Sequence, residues 1–393
     1  MRMNLSHQKK IVVLGAMSKM PVAGIVFITM QYLIGFKRLG YDVYYVEAHA
    51  RTPSMFMKRA EDDSSALAAA FISDIMQLFD MRDRWAFHAL HSDGRCYGLS
   101  EDQLRELYGS AELIFNLHGG TEPLPEHSAT GRLVYLGTDP VEVEVELYHN
   151  LQKTIDFMEP HCAFFTWGEN YGNPDCRVPV SDRFHFLPTR QPVVLDFWRP
   201  YGNGEAHAFT TIANWEQPWR DISFQGEVYY WSKHFEFLRF LDLPNLTNQQ
   251  FELALSSCDE DDQHMLESNG WKIRPALSFS TDVDAYRKYI LASRGEFTVA
   301  KDQNVRLRSG WFSDRSAAYL AAGRPVITQE TGFSNILPTG RGLFAFSSME
   351  EIVEAVNTIN SDYDHHRRGA SAIAQEYFNY EVVLPRLLAD IGI

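Results

Sequence analysis

The sequence has 393 residues, which is too long for one ordinary hydrophobic core and predicts two α/β domains of roughly 180 residues each. Its composition, with 45% hydrophobic and 22% charged residues, is typical of a globular protein and argues against a disordered chain. The formal net charge of −15 argues against a protein that holds a polyphosphate backbone over a wide surface, because such binding needs clustered lysines and arginines.

The cysteines and the N-terminal segment indicate the compartment. The four cysteines are widely spaced and form no CxxC pair, so they predict reduced thiols rather than a zinc site or a disulfide framework. Residues 1–10 are polar and lack the apolar stretch of a signal peptide, and no apolar run approaches the roughly 20 residues of a membrane-spanning helix. We therefore expect a cytoplasmic protein without a membrane span.

Strand and helix patterns alternate through the first half, as in a parallel sheet covered by helices. The first strand is predicted at residues 10–15, a continuous apolar run, and a helix follows at residues 25–38 with Gly40 as its C-terminal cap. Further strands are predicted at residues 42–47, 112–117 and 132–136, and further helices at residues 66–78 and 101–108. Residues 197–207, which contain glycine and proline, form the predicted linker, so the first domain is placed at residues 1–200.

The same alternation restarts in the second half. Strands are predicted at residues 208–213, 251–255, 296–300 and 325–329, and a helix at residues 232–241. Ser348 and Glu351 form a capping box, and the helix that they open carries an apolar face at Ile352, Ala355, Val356 and Ile359. Residues 362–391 are expected to continue as helix, bent or broken at Pro385. The second domain is placed at residues 205–375, followed by a C-terminal helix at residues 376–393.

A candidate anion site lies at residues 301–316. A strand leads into a polar loop there, and Ser313 or Asp314 can cap a short helix that ends at Gly323. The N–H groups and the positive dipole end of this helix suit a phosphate, and they favour a diphosphate site over the alternative of solvated loop cations. The cations near the helix start are Lys301, Arg306, Arg308 and Arg315.

Two further loops are placed at the ends of predicted strands, where ligands gather in parallel sheets. Glu330 follows the strand at residues 325–329 and can accept hydrogen bonds from ribose or sugar hydroxyls; the alternative is a solvated loop carboxylate. The loop with Ser18 and Gly24 joins the first strand to the first helix and can lie against a ligand in the cleft. It lacks the GxGxxG pattern, so a bound dinucleotide is not supported.

Three side chains of the first half are candidate catalytic bases. His118 ends a predicted strand and can act with a partner such as Glu122; the alternative is a structural histidine. Asp139 and Glu169 stand at predicted strand ends, where each can deprotonate an acceptor hydroxyl or simply cap a turn. Hydrolysis of a glycoside by a carboxylate pair stays open at this level.

Together these residues make the chain similar to the GT-B glycosyltransferases of the family 1/4-like kind, and within them to a bacterial group. The resemblance covers nearly the whole chain. Its motifs are Met30-Gln-Tyr-Leu-Ile-Gly35, Thr138-Asp-Pro140, Trp167-Gly-Glu-Asn170, Pro188-Thr-Arg-Gln-Pro192 and Ser309-Gly-Trp-Phe-Ser-Asp-Arg315.

The resemblance implies two Rossmann-like domains that face a central cleft, with the donor nucleotide held mainly by the second domain and the last helix crossing back to the first. Retaining enzymes of the glycogen synthase type carry two glutamates eight residues apart before a Gly-x-Pro-Val turn. This chain has Gly310 and Ala318 at those positions, so other side chains must contact the ribose or the sugar. The resemblance also places Lys233 beside the diphosphate. The donor-binding residues expected are Lys233, Lys301, Arg306, Arg308, Ser309, Asp314, Arg315, Ser316 and Glu330.

The resulting hypothesis is a glycosyltransferase that moves a sugar from a nucleoside-diphosphate sugar to an unidentified hydroxyl. Neither a catalytic metal nor a further cofactor is expected, because the protein supplies the counter-charge for the leaving diphosphate. A base among His118, Asp139 and Glu169 would activate the acceptor. The alternatives are a non-catalytic nucleotide-sugar-binding protein and a glycosyltransferase that acts on modified nucleic-acid bases.

Overall fold

A computed structural model describes residues 8–48, 54–59, 61–92, 94–199 and 207–393. Most of the predicted linker at residues 197–207, and the first seven residues of the polar N-terminal segment, lie outside this part of the chain. Two separate parallel sheets with helices on both faces confirm the predicted α/β fold class. Within the described residues, no helix is both long enough and apolar enough to cross a bilayer.

The first sheet has eight strands in the order β4-β3-β2-β1-β5-β6-β7-β8, and all neighbours are parallel except β3 and β4. The strands are β1 Lys10–Leu14, β2 Asp42–Ala48, β3 Trp85–His88, β4 Cys96–Gly98, β5 Leu113–Leu117, β6 Leu133–Gly137, β7 Ala163–Thr166 and β8 Phe186–Pro188. The helices between them are α1 Ala23–Arg38, α2 Ser64–Leu78, α3 Glu101–Ser110, α4 Pro125–Ser128, α5 Glu142–Tyr148 and α6 Gln152–Met158. The strand order reverses between β1 and β5, which opens a crevice at the carboxyl ends of these two strands.

The second sheet has six parallel strands in the order β13-β12-β9-β14-β15-β16, and a separate hairpin pairs β10 with β11. The strands are β9 Ala208–Asn214, β10 Ile222–Phe224, β11 Glu227–Tyr229, β12 Gln250–Ser256, β13 Lys272–Pro275, β14 Gly295–Thr298, β15 Val326–Gln329 and β16 Leu343–Phe346. The first helices are α7 His234–Leu238, α8 Leu243–Leu246, α9 Glu260–Ser268, α10 Val283–Ala292, α11 Asp302–Leu307 and α12 Asp314–Ala321. The later helices are α13 Met349–Ser361, α14 Tyr363–Ile373 and α15 Tyr380–Asp390. Here the reversal falls between β9 and β14.

Local signals decide several of these elements. The apolar run of β1 is fully buried apart from its first residue, since helices cover both faces of the sheet. The capping box of Ser348 and Glu351 is present at the start of α13, and the predicted apolar face of that helix is buried. These two predictions are confirmed, whereas the helix predicted at residues 232–241 is reduced to the five residues of α7.

The helix break near the C-terminus was predicted at the wrong residue. Pro385 lies inside α15, and the chain leaves the helical conformation at Asn379 instead. The cause is a tertiary contact: Val193 N donates to Phe378 O, and Tyr380 N donates to Val193 O. This short parallel bridge pulls the backbone at Asn379 out of the helix, and the Asn379 side chain then caps α15.

The last helix packs on the first sheet's own helical layer. Leu384, Leu387 and Leu388 of α15 are buried in the hydrophobic core that contains α1 and strand β1. Gly35 of α1 allows this approach, because a Cβ atom there would lie 2.5 Å from Leu384 Cδ1. The chain therefore crosses from the first sheet to the second and back again.

Candidate active site

Two cavities meet where the carboxyl ends of the two sheets face each other. The cavity on the second sheet's side has a volume of about 480 Å³, and we call it the second-sheet cavity. The cavity on the first sheet's side has a volume of about 590 Å³, and we call it the first-sheet cavity. Both volumes suit a small-molecule site. The residues that line both cavities are Met20, Ile25, Ile28, Asp139, Arg220, Trp311 and Asp314.

Lys301 carries a buried positive charge into the second-sheet cavity. It precedes α11 and follows β14, one of the two strands at the reversal of the second sheet. Its Nζ atom donates a 2.7 Å hydrogen bond to Asp139 Oδ1 and lies 3.2 Å from the centre of the Trp231 ring. Burial lowers the pKa of Lys301 to about 8, although the Asp139 carboxylate acts in the opposite direction.

Lys233 is the second buried amine on this cavity. It stands at the start of α7, and its Nζ atom lies 5.6 Å from the centre of the Trp311 ring. Burial, reinforced by the positive charges of Arg315 and Lys301, lowers the pKa of Lys233 to about 7. An anion in the cavity would reverse this effect, since a nearby negative charge favours the protonated amine.

Arg315 and Asp314 stand in the first turn of α12, and both line the second-sheet cavity. Arg315 Nε donates a 2.6 Å hydrogen bond to the fully buried Glu296, and Nη2 donates to Thr298 Oγ1 at 3.1 Å. These contacts fix the guanidinium group against β14. Burial raises the pKa of Asp314 to about 6, although Arg315 beside it acts in the opposite direction.

Asp139 follows β6 and faces both cavities. Desolvation alone would raise its pKa, but the positive charges of Lys301 and Arg220 outweigh this effect and hold the pKa below the ordinary value. The Asp139 carboxylate is therefore ionised and forms an ion pair with Lys301. The backbone two residues later is strained, because Val141 has a φ of 97°, a conformation that β-branched residues rarely adopt.

His118 follows β5 and lines the first-sheet cavity. It also has a left-handed backbone, with a φ of 64°. Its Nδ1 atom lies 2.7 Å from Thr138 Oγ1, and its Nε2 atom is buried with no hydrogen-bond partner among the described residues. Burial lowers the pKa of His118 to about 4, so the ring is neutral at physiological pH. A neutral imidazole whose second nitrogen is unoccupied can accept a proton from a bound hydroxyl.

The structure does not bring Arg306 into either cavity. Residues 302–307 form the helix α11 rather than the predicted polar loop, and this helix directs Arg306 toward the β10–β11 hairpin. There its guanidinium group pairs with Glu227 and with Asp302. We expected Arg306 to contact the donor. Its side chain instead links α11 to the hairpin, so this expectation is corrected.

Arg308 and Glu330 also lie outside both cavities, in a network that we call the interdomain clasp. Arg308 Nε donates to Asp175 Oδ2 at 2.7 Å, and its Nη2 atom lies 3.8 Å from Glu330 Oε1. Asn170, fully buried in the segment after β7, donates from Nδ2 to Arg308 O at 2.9 Å and to Asp175 Oδ1 at 3.1 Å. Asn335 Nδ2 donates to both Asn170 and Asp175. These residues join the two sheets.

Of the four remaining predicted residues, three are buried in structural surroundings and one lines a cavity. Ser309 and Ser316 are fully buried and line neither cavity, and Ser309 Oγ donates to Asn304 Oδ1 at 2.8 Å. Ser18 is also fully buried, where its backbone N–H donates to Glu47 Oε1 at 2.9 Å, whereas Gly24 does line the second-sheet cavity.

Glu169 lies in a different cavity, of about 320 Å³, beside α15. Its Oε1 atom accepts two hydrogen bonds from Arg190, at 2.6 and 2.9 Å. Burial raises the pKa of Glu169, although Arg190 acts in the opposite direction. Because it does not face the cleft, the expectation that Glu169 is a base there is corrected.

Two residues that line the cleft were not expected from the sequence. Arg220 lines both cavities, and its Cζ atom lies 3.5 Å from the centre of the Trp231 ring. Trp231 lines the second-sheet cavity with Lys301 on its ring. The only sequence signal for Trp231 is its position two residues before Lys233. Among the described residues, no three His, Cys, Asp or Glu side chains are arranged to hold a metal ion.

No family model matches the sequence, and no curated protein matches it either. Solved structures are similar over 98% of this chain. One is HepE of Anabaena in complex with UDP, with 11% identity, coverage of 100% of that chain and a TM-score of 0.57. Another is an α-glucosyltransferase in complex with UDP and a 13-mer DNA that contains an HMU base, with 10% identity, 100% coverage and a TM-score of 0.59. The chain has the GT-B fold. Sucrose-phosphate synthase from Thermosynechococcus elongatus also shares it, with 10% identity, 99% coverage and a TM-score of 0.50.

Proposed function

We propose that this GT-B chain transfers a sugar from a nucleoside-diphosphate sugar to an acceptor hydroxyl. The observation that carries the proposal is the second-sheet cavity, which is lined by the buried amines Lys233 and Lys301 and by Arg315 in the first turn of α12. Lys301 is paired with Asp139 and Arg315 with Glu296, whereas Lys233 has no ion pair among the described residues. A buried cation without such a partner is costly, and a diphosphate has the charge and the size to compensate it. Similar GT-B structures hold UDP or UDP-glucose, which supports a UDP-sugar as the donor.

The mechanism follows from the charges of the cavity. As the glycosidic bond breaks, negative charge develops on the leaving diphosphate, and Lys233, Lys301 and Arg315 stabilise it. Arg315 is already fixed by Glu296 and Thr298, so it needs no reorganisation during the reaction. The protein supplies this counter-charge itself, so the proposal includes no metal ion.

The acceptor side of the mechanism rests on the first-sheet cavity. We assign the base to His118, whose Nε2 atom is buried and whose Nδ1 atom is fixed by Thr138. Asp139 is occupied by Lys301, so its role in the proposal is to position that amine rather than to accept a proton. Asp314 lines both cavities, and the proposal assigns to it a contact with the transferred sugar. The more specific family 1/4-like grouping is part of this proposal.

Donor binding and turnover test the proposal separately. UDP is expected to raise the melting temperature, and UDP release from UDP-glucose is expected to be catalysed. Lys301→Gln should weaken UDP binding about 10- to 100-fold, the effect of losing a charged hydrogen bond. Arg306→Gln removes a cation outside the cavity and serves as the matched control.

The outcomes distinguish the alternatives. UDP binding without any release of UDP from sugar donors would identify a non-catalytic binding protein instead. Equal losses in Lys301→Gln and Arg306→Gln, each measured against its own unliganded melting temperature, would overturn the assignment of the donor site.

A further inference from the structure

We infer that the acceptor is a neutral carbohydrate, bound in the first-sheet cavity. This inference rests on the proposed function and names the class of molecule that receives the sugar. It is carried by the chemistry of the cavity wall, which combines acceptor-only carboxylates with indole rings.

The charges of the cavity oppose an anionic acceptor. Three carboxylates line it, those of Asp139, Glu142 and Asp314, against the two cations Lys19 and Arg220. Both cations have protein partners: Lys19 Nζ donates to Gly120 O, and Arg220 Nη2 donates to Glu142 Oε2 at 2.5 Å. Asp139 is paired with Lys301, so Asp314 is the carboxylate of this wall that has no ion pair among the described residues. A nucleic-acid strand brings a phosphate every nucleotide, and both lysine and arginine side chains of this wall already have protein partners.

The hydrogen-bonding groups favour a ligand rich in donors. An ionised carboxylate can only accept hydrogen bonds, and Asp139 and Glu142 each have one oxygen engaged by Lys301 or Arg220. Asp139 Oδ2, Glu142 Oε1 and the carboxylate of Asp314 remain as acceptors, which suits a molecule with several hydroxyl groups. His118 Nε2, buried in the same wall without a partner among the described residues, adds a fourth acceptor when the proton resides on Nδ1. An alkyl chain has no donors to offer, and a phosphodiester backbone offers mainly acceptors.

The remaining wall is apolar and aromatic. Trp311 and Trp167 line the cavity, and the Trp311 ring is fixed by a 3.0 Å hydrogen bond from Nε1 to Thr138 O. Ile25 and Ile28 of α1 complete this side. A sugar ring has C–H faces that pack on such surfaces and hydroxyl edges that meet the polar groups, which is the combination that this wall requires.

The test fills the first-sheet cavity and leaves the other one open. Val143 is half-buried and lines only the first-sheet cavity, so Val143→Trp is designed to block the acceptor and not the donor. Val180→Trp adds the same ring at a position that is 58% exposed and lines neither cavity, and it is the matched control. Glu142→Gln is a second, nearly isosteric variant in case Val143→Trp does not fold.

The assay uses UDP-glucose as donor with a panel of methyl hexosides and disaccharides, a 13-mer duplex DNA and octanol as acceptors. Mass spectrometry detects the acceptor enlarged by one hexose. We expect transfer to at least one sugar, a loss of at least tenfold in Val143→Trp and Glu142→Gln, and wild-type transfer in Val180→Trp. UDP-induced thermal shifts should stay unchanged in all three variants.

Each contrary outcome has a distinct meaning. Transfer to DNA or octanol but to no sugar would overturn the carbohydrate inference and leave the proposed function intact. Sugar transfer that Val143→Trp and Glu142→Gln leave unchanged would overturn the placement in the first-sheet cavity. UDP release whose rate no hexoside alters, with no sugar product, would also overturn the inference. If UDP neither binds nor is released, the proposed function itself fails.

Discussion

Lys301 and Asp139 join the two sheets across the cleft, because the ammonium group that follows β14 donates a 2.7 Å hydrogen bond to the carboxylate that follows β6. On our proposal, the donor diphosphate competes with Asp139 for the same amine. Donor binding therefore changes a contact between the two domains as well as the charge of the cavity. This coupling is the simplest route from donor binding to a change in domain orientation.

UDP binding is expected to weaken as the pH rises from about 6 to about 9. In the free protein, the pKa of Lys233 is lowered to about 7 and that of Lys301 to about 8, mainly by burial. An anion binds the protonated amines, so affinity is full below these values and falls as each ammonium group loses its proton. Calorimetric titrations in buffers of different ionisation enthalpy measure the accompanying proton uptake.

The control for this pH dependence replaces lysine by arginine at two positions. Lys233→Arg retains its charge over the whole range, so it should remove the loss of affinity near pH 7 and keep the loss near pH 8 that Lys301 causes. Lys288→Arg changes an amine whose side chain is 72% exposed and which lines neither cavity, so it should keep the wild-type profile. A wild-type affinity that does not vary with pH would contradict the position of the diphosphate beside Lys233.

His118→Gln is expected to lower the rate of UDP release from UDP-glucose by about 10²- to 10⁴-fold and to leave UDP affinity unchanged. The reason is that His118 lines the first-sheet cavity and not the cavity that we assign to the donor. Because burial lowers the pKa of His118 to about 4, its protonation should not reduce the rate above about pH 5. Steady-state kinetics across the pH range check both statements.

His264→Gln makes the same exchange at an exposed histidine of α9 and should have wild-type kinetics. If His118→Gln retained the full rate, or if it lost UDP affinity instead of rate, His118 would not be the base.

Strong local patterns made parts of this fold predictable. The apolar run of β1 and the capping box of α13 each carry their signal within a few residues. The break at Asn379 carries none, because it is set by the backbone bridge to Val193, far away in the sequence. A local pattern cannot report such a contact, so the sequence pointed to Pro385 instead.

In the site, too, some residues could be identified from local sequence patterns and others are set by tertiary contacts. Lys301 and Arg315 belong to one recognisable segment, and the structure places both on the second-sheet cavity. Arg306 belongs to the same segment but faces the hairpin, because residues 302–307 form a helix whose direction is set by packing. Arg220 enters the cleft from a stretch between strands that has no distinctive pattern. The sequence thus identified the segment that carries the positive charges. Tertiary structure decided which of these side chains reach the cavity.

Gly310→Ala is expected to destabilise the protein by about 3 kcal/mol, because the new Cβ atom would lie 2.3 Å from Asn170 N in the interdomain clasp. Gly172 provides the matched control. Its φ of 83° is close to the 80° of Gly310, but no atom lies within 4 Å of its Cβ position. Gly172→Ala should therefore cost only about 1 kcal/mol, from the left-handed backbone alone. Equal free energies of unfolding for the two variants, from urea titrations, would show that the clasp is not tightly packed.

Two alanine substitutions in helices are expected to change stability in opposite directions. Gly109 of α3 is exposed, and no atom lies within 4 Å of its Cβ position, so Gly109→Ala should stabilise the protein by about 0.5–1 kcal/mol through helix propensity. Gly35→Ala gains the same propensity in α1. Its Cβ atom, however, would lie 2.5 Å from Leu384 Cδ1 and 3.1 Å from Tyr380 Cβ of α15, and overpacking of this kind costs about 1–3 kcal/mol. Thermal unfolding should thus show a higher melting temperature for Gly109→Ala and a lower one for Gly35→Ala. A rise in both would mean that α15 can move away from α1 without loss.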